Sequence, residues 1–220
     1  MQKQELKVQK TARYFTEGVL TENTKEIWFV LHGYAQTADA FLESLSALNS
    51  DERFIVAPEG LSRFYWRDFV GEPVSSWMTK TDREIDIEDN VLYLNDLYLK
   101  ITQEIDLGKV KIKFLGFSQG AATLSRWLFA DVVKSSANYF YAGELAKELD
   151  YSLSQNFKNT SNYFIYGTKD FFIEPSKVEE LKSNFKAKNL KLNIFTFEGK
   201  HQIHKDALDF IQQNKQNNEF

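Results

Sequence analysis

Short, continuous apolar runs alternate along this chain with segments in which apolar residues recur at helical spacing. Residues 13–18, Arg-Tyr-Phe-Thr-Glu-Gly, read as an early strand turning back at Gly18. Residues 27–31 and 54–58 are unbroken apolar runs, the pattern of strands covered on both faces, and proline stops the second. Between them Phe41, Leu42, Leu45 and Leu48 recur at helical spacing. The stretch 59–83 is aromatic and irregular, with Gly71 and Pro73, and predicts a long functional loop. Residues 85–105 carry Ile87, Val91, Leu94, Leu97, Tyr98 and Ile101 at mostly helical spacing, with acidic residues near the start, where the helix dipole favours them. Residues 110–115 predict a buried strand and 121–128 a helix; 138–142, 163–166 and Leu192–Phe197 predict further strands. Residues 178–190 and the set Ala207, Leu208, Phe210 and Ile211 predict helices. Such alternation predicts an α/β fold around a largely parallel sheet with helices on both faces. No repeat or boundary divides residues 1–220, so one domain is expected, with about 1–8 and 213–220 as fraying ends.

Composition narrows this picture. A chain of 220 residues accommodates one large domain with a substantial core. With 19 Phe and 10 Tyr, aromatic side chains must fill much of the interior and part of any pocket. A net charge of −4 argues against nucleic acid as an electrostatically driven partner. No apolar stretch approaches the length of a membrane span. The first seven residues lack the apolar core of a secretory signal, so a cytoplasmic location is expected. The chain has no cysteine, which removes disulfides, thiolate zinc sites and a cysteine nucleophile.

The chemistry enters at Gly116-Phe117-Ser118-Gln119-Gly120, set between the strand at 110–115 and the helix at 121–128. A G-x-S-x-G in that context has the form of the nucleophile turn of an α/β-hydrolase; the alternative is a glycine-containing turn with an ordinary serine. A serine hydroxyl needs a base. Of the three histidines, His201 follows the strand Leu192–Phe197 in the loop at its C-terminal end, the edge where catalytic groups collect in open α/β sheets. His204 is expected inside the following helix, as a surface or packing residue. Asp170 follows the strand at 163–166 and completes the chain order serine, acid, histidine; Glu174 is its nearby competitor, and Asp150 lies on the wrong edge. Oxyanion donors are expected from the backbone N–H of Gln119 and, in the turn after 27–31, of Tyr34. His32 reads as a structural residue fixing that turn, with no ligand cluster to suggest a metal.

These residues resemble the phospholipase/carboxylesterase family of α/β-hydrolases, which includes acyl-protein thioesterases. The matching strings are Leu31-His32-Gly33, Ala57-Pro58-Glu59-Gly60, Gly116-Phe117-Ser118-Gln119-Gly120, residues 167–170 and Gly199-Lys200-His201, in family order over nearly the whole chain. The resemblance implies no large inserted cap, a triad of Ser118, Asp170 and His201, oxyanion donors at Tyr34 and Gln119, no cofactor or metal, and ester or thioester substrates with small to medium groups. The chain departs from the family at Tyr34-Ala35-Gln36, at Ala142-Gly143-Glu144, and in the bulk of the 59–83 stretch, with Phe64, Tyr65, Trp66, Phe69 and Trp77. Gln36, Phe64, Tyr65, Trp66, Trp77 and Glu144 are therefore candidates to line the substrate pocket. A serine carboxylesterase is the leading expectation. A long-chain lysophospholipase or acyl-protein thioesterase, and a non-catalytic hydrolase-like binding protein, are the alternatives. A small-molecule or lipid-like ester is the expected partner; oligomeric state is left open, a dimer being compatible.

Overall fold

Every residue of Glu26–Leu31 is buried, and this strand, β2, runs through the middle of a seven-stranded sheet in the computed structural model. The structure describes residues 1–214; residues 215–220, most of the tail expected to fray, lie outside the described residues, as does the side chain of Phe69. Before β2 comes β1 (Tyr14–Glu17), and after it α1 (Ala38–Ser44), β3 (Arg53–Pro58), β4 (Ser62–Tyr65), β5 (Pro73–Ser76) and α2 (Arg83–Thr102). The central part continues with β6 (Lys111–Phe117), α3 (Gln119–Phe129), β7 (Ala137–Tyr141) and a short α4 (Gln155–Lys158). The chain ends with β8 (Ser161–Gly167), α5 (Pro175–Ala187), β9 (Leu192–Phe197) and α6 (Lys205–Gln213). The sheet order is β1-β3-β2-β6-β7-β8-β9, with only β1 antiparallel to its neighbour. This is the α/β-hydrolase arrangement, with no large cap among the described residues.

Alternate side chains of each strand feed two separate cores. Phe29, Phe114, Phe140 and Phe164 face α2, α3 and α5, meeting Leu97, Trp127 and Phe185. Trp28, Val30, Leu115, Tyr139 and Ile165 face α1 and α6, meeting Phe41 and Leu208. Rings interlock rather than simply fill space: Trp127 stands edge-on to Phe29 at 5.5 Å and to Phe114 at 5.1 Å. Burial of side chains this size contributes about 1.5–3 kcal/mol each.

Near the N-terminal end of the parallel strands, the second core holds a charge cluster. Glu26 bonds Arg53 and Lys113 at 2.7 Å each and the Trp28 indole N–H at 3.0 Å. Burial pushes the Glu26 carboxyl up, but Lys113, Trp28 and Arg53 outweigh it and hold it at about 2.

Three expectations change. The 59–83 stretch is not a structureless loop: β4 and β5 pair as an antiparallel hairpin, and Gln36 and Ser75 bridge it to the turn after β2. Strands of four residues are too short for periodicity to show, and Pro73 sits at a strand's first residue, where its missing N–H costs nothing. Helix α1 stops at Ser44, and Leu48 belongs to a separate 3-10 turn. Helix α2 ends at Thr102, three residues before Ile105.

Candidate active site

Ser118 joins β6 to α3 with φ 54° and ψ −118°, a backbone conformation that costs a non-glycine residue on the order of 1–3 kcal/mol. Its surroundings hold it there. The Ser118 N–H donates to the Tyr141 carbonyl at 2.8 Å, and its own carbonyl accepts from Ala121 N–H at 2.9 Å. A Cβ on Gly120 would overlap the Leu31 and His32 carbonyl oxygens, and one on Gly143 would overlap the Ser118 carbonyl oxygen. The turn therefore closes only where glycines let three backbones touch.

The residues singled out in the sequence come together here. His201 Nε2 lies 2.9 Å from Ser118 Oγ, and His201 Nδ1 lies 2.8 Å from Asp170 Oδ2. The Asp170 side chain is fully buried, and its Oδ1 accepts the Phe172 N–H at 2.9 Å, which leaves Oδ2 for the imidazole. The loops after β8 and β9 are laced together: Thr168 and Lys169 donate their N–H groups to the carbonyls of Phe197 and Gly199 at 2.9 and 2.8 Å. Tyr141 braces the far side of the His201 loop, its hydroxyl donating to the Gln202 carbonyl and accepting from His204 N–H. The imidazole of His201 is walled by Phe117 at 5.0 Å and Phe172 at 4.8 Å.

The competitors lie elsewhere. Glu174 stands at the start of α5 and pairs with Lys177 at 3.1 Å. Asp150 caps a 3-10 turn and pairs with Lys188. His204 is not inside α6 but at its N-cap, where Nδ1 accepts the Asp206 N–H and the ring stacks on Phe197.

The turn after β2 lies against Ser118: a Cβ on Gly33 would sit 3.1 Å from Ser118 Cβ. Tyr34 follows directly, and Ala35, at φ 57°, donates its N–H to the Ser75 carbonyl. Buried His32 anchors the turn. Its Nε2 accepts from Gly60 N–H at 3.1 Å and contacts Ser75 Oγ at 3.0 Å, so Nδ1 carries the proton and donates to the Gly33 carbonyl. Burial pushes this ring down to about 4, against weaker upward pulls from Gly33 and Glu59. Gln119 is the first residue of α3, where a backbone N–H has no partner inside the helix. Its side-chain amide bonds Trp77 N–H, Ser76 and the Met78 carbonyl, fixing the hairpin's exit.

The six candidate pocket residues divide. Phe64 stacks on Tyr34 at 5.4 Å and Trp66 stands edge-on to it at 6.0 Å, so these two flank the turn beside Ser118. Tyr65 points from the other face of β4 and is exposed. Gln36 turns its Oε1 onto the Gly33 N–H at 2.6 Å and braces the turn. Trp77, expected in the pocket, is instead core: it is 1% exposed, stacked on His32, with its indole N–H on the His32 carbonyl. Its neighbours on the turn, not its aromatic character, decide this. Glu144 pairs with Lys147 and Lys177 at 2.8 Å each. Two residues escaped sequence reading: Phe171 and Phe172, 92% and 65% exposed immediately after Asp170. Consecutive phenylalanines in a loop after a candidate acid were the available signal.

Among the described residues no group of three or more His, Asp or Glu side chains is placed to hold a metal, and no helix is long and apolar enough to cross a membrane.

Comparison with curated proteins gives no match. Among solved structures, the fold is similar to acyl-protein thioesterase 2 of Zea mays (16% identity over 94% of this chain and 99% of that one, TM-score 0.71). It is also similar to a phospholipase/carboxylesterase of Dyadobacter fermentans (20%, 92% and 95%, TM-score 0.68) and a Bacillus cereus carboxylesterase (15%, 92% of each, TM-score 0.66). At such identities the likeness concerns the fold. A family model described as serine hydrolase (FSH1) matches residues 22–209. Over that span, with the hydrogen-bonded serine and histidine inside it, the chain belongs to the FSH1 family of serine hydrolases.

Proposed function

We propose that this chain is a carboxylesterase-type serine hydrolase that works through an acyl-enzyme on Ser118. The observation that carries the reading is the continuous chain Ser118 Oγ–His201–Asp170 Oδ2, with links of 2.9 and 2.8 Å. His201 Nε2 takes the Ser118 proton as Oγ attacks the ester carbonyl, and later returns it to the leaving alcohol. Asp170, fully buried and oriented by Phe172 N–H, holds Nδ1–H and stabilises the imidazolium. The carbonyl oxygen becomes an oxyanion between the backbone N–H groups of Gln119 and Tyr34, with the N-terminus of α3 adding its dipole. Water, activated by the same histidine, then releases the acid.

The exposed aromatic rim of Tyr34, Trp66, Phe171 and Phe172 favours an apolar ester over a charged one. A thioester fits the same chemistry.

The test is Ser118→Ala with 4-nitrophenyl butyrate, beside labelling of the unaltered protein by a fluorophosphonate probe. Turnover is expected to vanish in the variant while the melting temperature is retained, and the probe is expected on Ser118. Retained turnover would remove Ser118 as the nucleophile; folded protein that neither hydrolyses nor labels would favour a binding protein with a hydrolase-like fold.

A further inference from the structure

Ser118 and His201 follow strands that are not neighbours: β7 and β8 lie between β6 and β9. β9 ends the sheet, pairing only with β8 among the described residues, so the loop that carries His201 leans on its neighbours from one side. The short reach from serine to imidazole must therefore be held across two intervening strands.

Tyr141, the last residue of β7, makes that link with both its main chain and its side chain. Its carbonyl accepts the Ser118 N–H at 2.8 Å. Its ring, fully buried, lies against two others, with centroids 5.6 and 6.0 Å away. One is Phe117, which ends β6 directly before Ser118; the other is Phe197, which ends the strand leading to His201. The hydroxyl then reaches the loop itself, donating to the Gln202 carbonyl at 3.0 Å and accepting the His204 N–H at 2.9 Å. Gln202 follows His201 directly and His204 is the N-cap of α6, so one phenol fixes the segment between the imidazole and the helix at both ends.

A ring that only filled this space would do better as phenylalanine, because a buried hydroxyl costs free energy unless it is bonded. Here the hydroxyl both donates and accepts, and burial pushes the phenol up, which keeps on it the proton given to Gln202. On the proposed mechanism His201 Nε2 takes the Ser118 proton and later returns it, so its distance from Oγ governs both halves of the reaction. A misplacement of about 1 Å costs on the order of 100-fold in rate.

We propose that Tyr141 is a positioning residue for the hydrolytic step, its hydroxyl holding the His201 loop at the distance from Ser118 that proton transfer needs. It touches neither substrate nor reacting atoms and acts through the backbone beside the imidazole. The inference rests on the serine hydrolase reading above and goes beyond it by placing a further side chain behind Ser118, His201 and Asp170.

Tyr141→Phe removes the one oxygen and keeps the ring. With 4-nitrophenyl butyrate, kcat and kcat/KM are expected to fall together by about tenfold or more, with KM nearly unchanged, since one histidine serves acylation and deacylation. Labelling of Ser118 by the fluorophosphonate probe is expected to slow in parallel. Tyr98→Phe is the control. Its hydroxyl also accepts a backbone N–H, from Lys134 at 3.2 Å, but before the N-terminal end of β7, so kcat is expected to hold. A folded Tyr141→Phe that keeps the unaltered kcat, or equal losses in the two variants, would overturn the proposal. If Tyr141→Phe does not fold, amide hydrogen exchange of the unaltered protein decides. The His204 N–H is expected to be protected, and exchange as fast as in an unstructured peptide would reject the link. Should the unaltered protein neither hydrolyse esters nor label, the hydrolase reading fails separately. The hold of Tyr141 on the loop is then read from the His201 Nδ1–H resonance, which the bond to Asp170 places far downfield. Its broadening in Tyr141→Phe would support the hold, and an unchanged resonance would reject it.

Discussion

Gly60 donates its backbone N–H to His32 Nε2 at 3.1 Å, which commits a fully buried imidazole to the Nδ1–H tautomer. Nδ1–H in turn holds the Gly33 carbonyl, so one ring ties the turn after β3 to the turn beside Ser118. Protonating Nε2 would remove the acceptor for Gly60 and bury a charge.

That relationship sets a pH dependence. Burial lowers the His32 ring from 6.5 to about 4 in the folded protein. Between those values the unfolded chain binds a proton that the native state does not, so stability rises with pH across the window and is lost as pH falls from 6.5 toward 4. The difference amounts to on the order of 3 kcal/mol. Urea unfolding at pH 7.5 and pH 4.5 measures it. His32→Gln is expected to be less stable at both pH values but to lose clearly less between them. An equal loss in both proteins would mean that other groups carry the dependence.

The charge cluster of the second core makes a different prediction. Glu26→Gln leaves Lys113 and Arg53 buried side by side without a counter-charge, at a cost of about 3–5 kcal/mol. Lys113→Met keeps the Glu26–Arg53 pair and removes the second cation, so it should cost less. Urea midpoints for the two variants rank them; the reverse order would show that Lys113, not Glu26, holds the cluster together.

Close approach at the Ser118 turn predicts, on the proposed mechanism, an activity loss without loss of a side chain of the Ser118–His201–Asp170 chain. In Gly143→Ala the new methyl overlaps the Ser118 carbonyl oxygen, so the serine backbone must move. A displacement of about 1 Å costs roughly 100-fold in rate. Turnover of 4-nitrophenyl acetate by folded Gly143→Ala, compared with the unaltered protein, checks this. Wild-type rates would show that the turn tolerates the shift.

Much of the fold could be read from local patterns, and the failures share a physical cause. The unbroken apolar runs of β2 and β3 announce strands buried on both faces, because nothing but a second layer can cover both. The hairpin of β4 and β5 was missed because its stability comes from outside it, through Ser75 on Gln36 and Gln119 on Trp77. Trp77 illustrates the same point within the site. Aromatic content alone suggested a pocket wall, whereas its position is decided by the His32 ring it stacks on. Phe172, unnoticed in the sequence, is the ring against His201.

By itself the sequence determined the order of the strands of the main sheet and of the longer helices, and which serine, acid and histidine stand at C-terminal strand ends, since periodicity and turn chemistry act over a few residues. Only the tertiary structure decided that groups 83 and 31 positions apart meet at 2.9 and 2.8 Å. It alone decided that Trp77 is core while Phe172 lies at the His201 imidazole. Those outcomes depend on which strands are neighbours and how their loops stack, a long-range property that no local window contains.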